Sequence, residues 1–260
     1  MSDLDETAGA DSPTPVFEST VREGVCRLRR SGTRWLSTGY DGGSSRADAA
    51  VVISVPEGWN ETDVSDYVRR RLDAAGFEDA GPALLTGVAM RHAHRARRGP
   101  VEAVVTAGVN NPAALPVGDD LTDPPEGGDT ARVAGPDSRR HDGTVNVVVG
   151  TTRSLAPGAL ANLVSVAAEA KAATLLAEVG IPGTTSDAVV VGCDPAGDHT
   201  TFSGSATSVG SAARICVRDA LTAALASRYA DESPPKSVAA AEYGVVSDGV
   251  AEVERVGSVE

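Results

Sequence analysis

The chain has 260 residues, of which 41% are hydrophobic, so it can bury the core of one large domain or two small ones. Its formal net charge of −13 argues against nucleic-acid binding, because affinity for a phosphate backbone comes largely from clustered cations. Cys26, Cys193 and Cys216 form no CxxC pair, which argues against a zinc ribbon or a disulfide framework and favours three buried small side chains.

The first predicted element is a disordered tail over residues 1–15, which are rich in Asp, Thr, Ser and Pro. This segment lacks the basic start and the apolar centre of a secretory signal. The longest apolar runs fall short of the roughly 20 residues that a membrane span needs, so no transmembrane helix is expected. The prediction is a cytoplasmic protein with no membrane partner.

Strands and one helix alternate in the first half of the chain. Residues 34–36 and 49–55 are predicted strands, and the second has the continuous apolar run of a buried strand. Residues 64–75 are predicted to form an amphipathic helix that Gly76 ends. A further strand is predicted over residues 101–107.

A segment at residues 116–142 interrupts this pattern, because it is rich in Pro, Gly, Asp and Arg and holds few large apolar side chains. It is predicted to be a surface insertion. After it, a strand at 144–150, a helix at 157–179 and a strand at 188–193 form a predicted βαβ unit, and a last helix covers 209–227. The fold class is therefore α/β, with a mixed, partly parallel sheet layered with helices.

The predicted elements form a single domain over residues 16–230. A C-terminal tail is predicted at 231–260, because an Asp-Glu-Ser-Pro-Pro run interrupts the pattern there. Residues 243–256 within this tail are predicted to form an edge strand.

The longest predicted helix carries two ionisable residues on different faces. At about 100° per residue, Lys171 falls within an apolar stripe, whereas Glu169 lies on the opposite side with Asn162. Glu169 and Lys171 therefore cannot act together from a straight helix. Lys171 either forms a structural ion pair, for example with Asp187, or has a functional role.

The other polar candidates each have a structural alternative. Glu169 is either a water-activating base or part of a solvent-facing stripe. Asp187 precedes a buried strand and is either a turn cap or a general base. Asn110 and Asn146 can donate and accept hydrogen bonds at once, which suits a ligand that carries amides.

Well-known catalytic and metal-binding motifs are missing from the sequence. It holds no GxSxG nucleophile elbow and no HExxH motif. His92 and His94 stand among arginines, so no metal site is predicted. Any hydrolytic mechanism is therefore expected to use carboxylates, lysine and polar loops.

A set of short motifs follows along the chain in a defined order. They are TAGVNNPA at 106–113, GTVN at 143–146, GALAN at 158–162, AEAK at 168–171, TTSDAVVV at 184–191 and FSG at 202–204. In these motifs the chain resembles the adenosylcobinamide amidohydrolase family, over roughly residues 17–228. The resemblance implies a hydrolase that cuts the aminopropanol amide of adenosylcobinamide and releases adenosylcobyric acid for the synthesis of coenzyme B12.

The resemblance, taken with the residue patterns, also implies a site. The predicted catalytic residues are Glu169, Lys171 and Asp187, and Lys171 would donate to the scissile carbonyl or to the leaving amine. The predicted substrate-binding residues are Thr106, Asn110, Asn146, Asn162 and Thr185. No cofactor is expected, because the cobalt belongs to the corrinoid substrate, and a homo-oligomer is left open.

Two other functions are compatible with parts of the sequence. A non-catalytic corrinoid carrier or sensor would need only shape and hydrogen bonds, so it would tolerate replacement of the three catalytic candidates. A nucleotide- or phosphate-binding enzyme would use the Gly/Ser/Thr loops, but residues 184–187 and 203–210 contain no basic side chain. This last function ranks lowest.

The cations of the chain are unusual in kind, since Lys171 and Lys236 are the only lysines. An acidic, lysine-poor surface stays hydrated when salt screening is strong. The composition therefore favours a halophilic protein.

Overall fold

Runs of Val, Ala and Leu form the buried strands, and longer segments with helical periodicity form the helices. The computed structural model describes residues 15–56, 58–78, 81–117, 143–241 and 243–257. The strands are β1 (Glu18–Arg22), β2 (Val25–Ser37), β3 (Gly43–Ser54), β4 (Ala83–Thr86), β5 (His94–Arg98), β6 (Val101–Ala107), β7 (Pro112–Ala114), β8 (Val145–Thr151), β9 (Ser154–Leu155), β10 (Gly183–Thr184), β11 (Ala188–Cys193), β12 (His199–Thr200) and β13 (Val245–Val246). The helices are α1 (Val64–Ala75), α2 (Pro157–Val179) and α3 (Ser208–Arg228).

Most predicted elements are present, and α1, β6, α2 and β11 have the predicted bounds. Strands β2 and β3 begin well before the predicted 34–36 and 49–55. The part-exposed positions of β2 are largely arginines. This density of charge masked the alternation of buried and exposed side chains, so the first part of the strand was not predicted. Gly76 ends α1 in the left-handed conformation, with φ of 67°, as its position after the helix predicts.

Two predicted segments fall largely outside the described residues. These are the tail at 1–15 and the insertion at 116–142, of which only residues 15, 116 and 117 are described. In the C-terminal part, the predicted strand at 243–256 is reduced to the two residues of β13, which pair with β7.

The main sheet has eight strands in the order β4-β3-β2-β11-β8-β6-β5, and β1 pairs with the first half of β2. Strands β8 and β11 are parallel neighbours joined by α2, so the predicted βαβ unit is confirmed. Strands β3 and β4 are also parallel, and the remaining pairs are antiparallel. The predicted fold class, a mixed α/β single domain, is confirmed.

The sheet is strongly curled. Strand β4 at one edge approaches β8, and the Asn146 side-chain amide donates to the carbonyl of Leu85 at 2.8 Å. The concave side encloses a core that includes Cys26, Leu28, Trp35, Val52, Leu84, Val104, Val148 and Val190. Curling therefore brings a sheet edge against the start of β8, where the cleft described below is found.

Phe17 and Trp35 fill one end of this concave core, with ring centroids 5.6 Å apart. Glycines opposite the rings make room for them. A Cβ on Gly150 would lie 2.1 Å from the Phe17 ring, and one on Gly192 would lie 2.5 Å from the Trp35 ring. These glycines are required by close packing rather than by backbone conformation.

Helices α2 and α3 cover the convex side of the sheet, and α1 packs on the outer side of β2 and β3. By length and composition α2 could cross a membrane, and it is the only such helix in the described ranges. Its inward residues pack against β11 and α3, and it carries both Glu169 and Lys171. These features are typical of a buried core helix.

The three cysteines are free and buried, as the sequence predicted. Burial raises the pKa of the Cys26 thiol to about 11, and burial likewise raises that of Cys216 to about 11. Such thiols stay protonated near neutral pH, so neither is a nucleophile.

Candidate active site

A cleft of about 300 Å³ opens at the end of the curled sheet where β8 and β11 begin. One wall is formed by the loop after β2 together with β4, and the opposite wall by the starts of β8 and β11. The polar residues of this second wall are Thr144, Asn146, Ser186 and Asp187. Its size lies at the lower end of the roughly 300–1,000 Å³ range of small-molecule sites.

The Asp187 carboxylate is saturated with hydrogen-bond donors. Its Oδ1 accepts from the Val145 N–H at 3.0 Å and from the Thr184 hydroxyl. Its Oδ2 accepts from the Thr184 N–H at 3.0 Å and from the Lys171 ammonium. Because a carboxylate offers about four acceptor positions, Asp187 has little capacity left to take a proton from water.

Lys171 and Asp187 form a buried ion pair, and only 11% of each side chain is exposed. The pair proposed from the apolar stripe of α2 is therefore present. A Cβ on Gly183 would lie 2.7 Å from Asp187 Oδ2 and 3.1 Å from Lys171 Nζ, so a side chain there would displace the ion pair. Lys171 is not among the described residues that line the cleft, and it reaches the cleft wall through Asp187.

Two hydroxyls stand side by side in the cleft wall. Ser186 Oγ donates to the Gly143 carbonyl at 3.2 Å, and it lies 2.8 Å from Thr144 Oγ1. Since each hydroxyl has one hydrogen, Thr144 must donate to Ser186. Both oxygens therefore keep acceptor capacity.

In the side-chain amide of Asn146, the nitrogen is engaged in a hydrogen bond and the oxygen is not. Its Nδ2 donates to the Leu85 carbonyl, which can only accept, and this bond defines the orientation of the amide. Its Oδ1 is buried and has no hydrogen-bond partner among the described residues. An unsatisfied buried acceptor costs about 1–3 kcal/mol, so a ligand N–H is the expected partner.

Thr106 lies directly opposite Asn146 on the neighbouring strand β6. Its Oγ1 is also buried and lacks a partner within the part of the chain that is described. The structure therefore brings these two predicted substrate-binding residues together.

Tyr40 and Trp59, which the sequence analysis did not single out, also line the cleft. Tyr40 is 49% exposed, and its hydroxyl hydrogen-bonds Ser65 Oγ at 3.1 Å. Trp59 packs on Tyr67, with ring centroids 5.4 Å apart. An aromatic residue within a glycine-rich loop was the available signal for Tyr40.

Asn110 and Thr185 lie behind the cleft wall. The Tyr229 hydroxyl accepts from the Val109 N–H at 2.9 Å and donates to Asn110 Oδ1 at 2.8 Å. Asn111 donates from Nδ2 to Thr185 Oγ1 at 2.7 Å, and its carbonyl accepts from the Thr185 N–H. The Asn111–Thr185 bonds join the loop after β6 to the loop before β11, whereas the Asn110 bond ties the first of these loops to the end of α3.

Glu169 and Asn162 lie on the outward face of α2, away from Lys171. The Glu169 side chain is 62% exposed and contacts Arg214 Nη1 at 3.1 Å. Asn162 Nδ2 donates to Ser203 Oγ at 3.3 Å. Because Lys171 occupies the inward face two positions on, Glu169 cannot reach the cleft. Glu169 is therefore part of a solvent-facing stripe on α2.

None of the described histidines lines the cleft. His92 Nδ1 lies 2.9 Å from Ser227 Oγ, and burial lowers its pKa, as does the nearby charge of Arg91. Within the described ranges, no group of three His, Cys, Asp or Glu side chains could hold a metal ion.

The chain matches known proteins over most of its length. The family model described as adenosylcobinamide amidohydrolase matches residues 12–233. A curated relative named adenosylcobinamide amidohydrolase, from Halobacterium salinarum, is 53% identical over 92% of this chain and 100% of its own length. A relative of the same name from Methanosarcina mazei is 27% identical over 63% of this chain and 70% of its own length.

Two solved structures share part of the architecture. The PH0078 protein of Pyrococcus horikoshii is 13% identical, with a TM-score of 0.43 over 90% of this chain and 84% of its own. The L-aminopeptidase D-Ala-esterase/amidase of Ochrobactrum anthropi is 14% identical, with a TM-score of 0.39 over 82% and 83%. Likenesses at this level carry no information on function. The family model and the relative from Halobacterium salinarum show that the chain belongs to the adenosylcobinamide amidohydrolase family.

Proposed function

We propose that the chain hydrolyses the amide between aminopropanol and the corrin ring of adenosylcobinamide. The products are adenosylcobyric acid and free aminopropanol, and the reaction serves cobinamide salvage for coenzyme B12 synthesis in the cytoplasm. The observation that carries this proposal is the polar wall of the cleft, which consists largely of hydrogen-bond acceptors.

Asn146 Oδ1, Thr144 Oγ1 and Ser186 Oγ all have unused acceptor capacity in or beside this wall. Asp187 adds negative charge, although Lys171 balances it. Such a wall favours ligands with many N–H donors and disfavours phosphates. A corrinoid carries amides around its ring, so its edge has the matching chemistry.

The size of the cleft supports the same substrate. A corrin ring is too large for a cleft of about 300 Å³, so only one edge of the ring with its amide arm can enter. Tyr40 and Trp59 line the cleft and offer apolar ring surface to the macrocycle. A peripheral amide is the bond that such an arrangement exposes to the polar wall.

In this proposal each polar residue has a distinct role. Asn146 Oδ1 accepts an amide N–H of the substrate and Thr106 supports it from β6. The oxygens of Ser186 and Thr144 orient the attacking water. Asp187 and Lys171 are positioning residues, because their pair holds Ser186, the neighbour of Asp187, at the cleft wall.

The test is to incubate the purified protein with adenosylcobinamide in molar salt and to quantify the corrinoid acid and aminopropanol by mass spectrometry. Asn146→Ala is expected to lower kcat/KM roughly tenfold, which corresponds to about 1.4 kcal/mol from one lost hydrogen bond. Thr222→Ala is the control, because Thr222 lies on α3, is not among the described residues that line the cleft, and uses its hydroxyl to bond Glu178. It is expected to keep wild-type kinetics.

The outcome also separates an enzyme from a corrinoid carrier. Product release by the wild type supports hydrolysis at this site. Tight corrinoid binding without any acid product would reject the proposed reaction and favour the carrier. Equal kinetics of Asn146→Ala and Thr222→Ala would remove Asn146 from the site.

We also propose that the acidic surface is adapted to high salt, as the organism of the 53% identical relative suggests. The midpoint of thermal unfolding is expected to rise as salt increases from about 0.1 M to about 1 M, where the Debye length shrinks from about 10 Å to about 3 Å and like charges repel less. Full stability at low salt would reject this adaptation.

A further inference from the structure

A second pocket, of about 410 Å³, adjoins the cleft. It lies between the loop after β2, the start of β3 and the beginning of α1. Tyr40 lines both the cleft and the second pocket, so its ring is part of the boundary between them. A ligand with two parts could therefore occupy both spaces and pass over Tyr40.

The second pocket carries charges of both signs, whereas Asp187 is the one charged residue among the described residues that line the cleft. Its polar side chains are Ser37, Asp41, Ser44, Ser45, Arg46 and Ser65. The first wall of the cleft is instead mainly apolar, with Val55, Leu84 and Leu85. The two spaces thus suit chemically different parts of one ligand.

Asp41 and Arg46 supply the two charges of the second pocket; both residues are exposed, and neither side chain has a hydrogen bond or an ion pair with a described residue. In dinucleotide-binding folds a carboxylate accepts a hydrogen bond from a ribose hydroxyl. A guanidinium stacks on flat aromatic groups, and serine hydroxyls can bond the nitrogens of a base. The Asp41 carboxylate and the Arg46 guanidinium together carry no net charge, so an uncharged nucleoside without phosphate fits this set.

The backbone holds this loop in a defined conformation. Asp41 has φ of 47°, which is uncommon for a residue other than glycine. A Cβ on Gly42 would lie 2.5 Å from the Ser37 carbonyl oxygen, and the Tyr40 hydroxyl bonds Ser65 of α1. The walls of the second pocket are therefore formed before any ligand binds, which lowers the entropic cost of binding.

We infer that the second pocket binds the adenosyl group of the corrinoid while the cleft holds the amide arm. The inference rests on the proposed function, since it names the subsite for one part of that substrate. In this arrangement Asp41 accepts hydrogen bonds from the ribose hydroxyls, and the Tyr40 ring lies between the nucleoside and the amide arm.

The test compares two substrates, adenosylcobinamide and a cobinamide whose upper ligand is water. Asp41→Gly is the informative variant, because glycine accepts a φ of 47° and removes the carboxylate. It is expected to raise KM roughly tenfold for adenosylcobinamide, the scale of one charged hydrogen bond, and to leave KM for the aqua form unchanged. Asp41→Asn, which also tolerates positive φ, checks the loss of charge alone.

Asp73→Ala is the matched control, because Asp73 is exposed on α1 and does not line the second pocket. It should match the wild type with both substrates. Free 5′-deoxyadenosine is expected to inhibit the wild type competitively and to inhibit Asp41→Gly much less. Equal KM changes with both substrates, or no change with either, would overturn the adenosyl subsite while the hydrolase stands. A wild type that cleaves neither substrate would instead reject the proposed function.

Discussion

Replacing Asp187 with alanine is expected to lower the free energy of unfolding by about 3–5 kcal/mol, because it leaves the Lys171 ammonium buried without its partner. The same change removes the acceptor of the Val145 N–H and of Thr184. Denaturant unfolding in molar salt, followed by circular dichroism, measures this difference.

Lys171→Met is the comparison variant and is expected to cost less, about 1–2 kcal/mol. The Asp187 carboxylate then keeps its bonds from the Val145 N–H and from both donors of Thr184. If Lys171→Met proved as destabilising as Asp187→Ala, the three remaining donors would not stabilise the carboxylate. The description of Asp187 as saturated with hydrogen-bond donors would then be wrong.

Phe17→Ala is expected to destabilise the protein by about 3–5 kcal/mol, because it opens a cavity in a packed core. Phe17 is 1% exposed, stacks on Trp35 and faces Gly150, which has no side chain to fill the space. The measurement is again the free energy of unfolding in molar salt.

Phe202→Ala is the matched control, since Phe202 is 73% exposed. Its effect is expected to stay within about 0.5 kcal/mol, as for most surface substitutions. If Phe17→Ala lowered the free energy of unfolding as little as Phe202→Ala does, Phe17 would not belong to the concave core.

Local patterns in the sequence were enough to place the three helices and the strands β6, β8 and β11. The apolar periodicity of α2 and the glycine after α1 marked helix bounds that the structure confirms. The same periodicity placed Lys171 on the buried face, where the structure pairs it with Asp187. The apolar run of residues 188–193 likewise marked β11 correctly.

The cleft itself was beyond reach of these patterns, because its walls come from distant segments. Asn146 meets Leu85, which is 61 positions earlier in the chain, only because the sheet curls. Tyr40 and Trp59 lie in loops without periodicity, so no local signal linked them to Asp187. Glu169 was selected because polar neighbours share its face, but a polar stripe looks the same whether it lines a site or faces water.

The sequence by itself determined the three helices, strands β6, β8 and β11, the buried face of α2 and, through its ordered motifs, the family. These depend on spacing between near neighbours, which side-chain periodicity records directly. Only the tertiary structure decided which polar groups meet, since strand order and sheet curvature arise from pairing between remote segments. The acceptor wall, the saturation of Asp187 and the pocket beside Tyr40 all follow from that pairing.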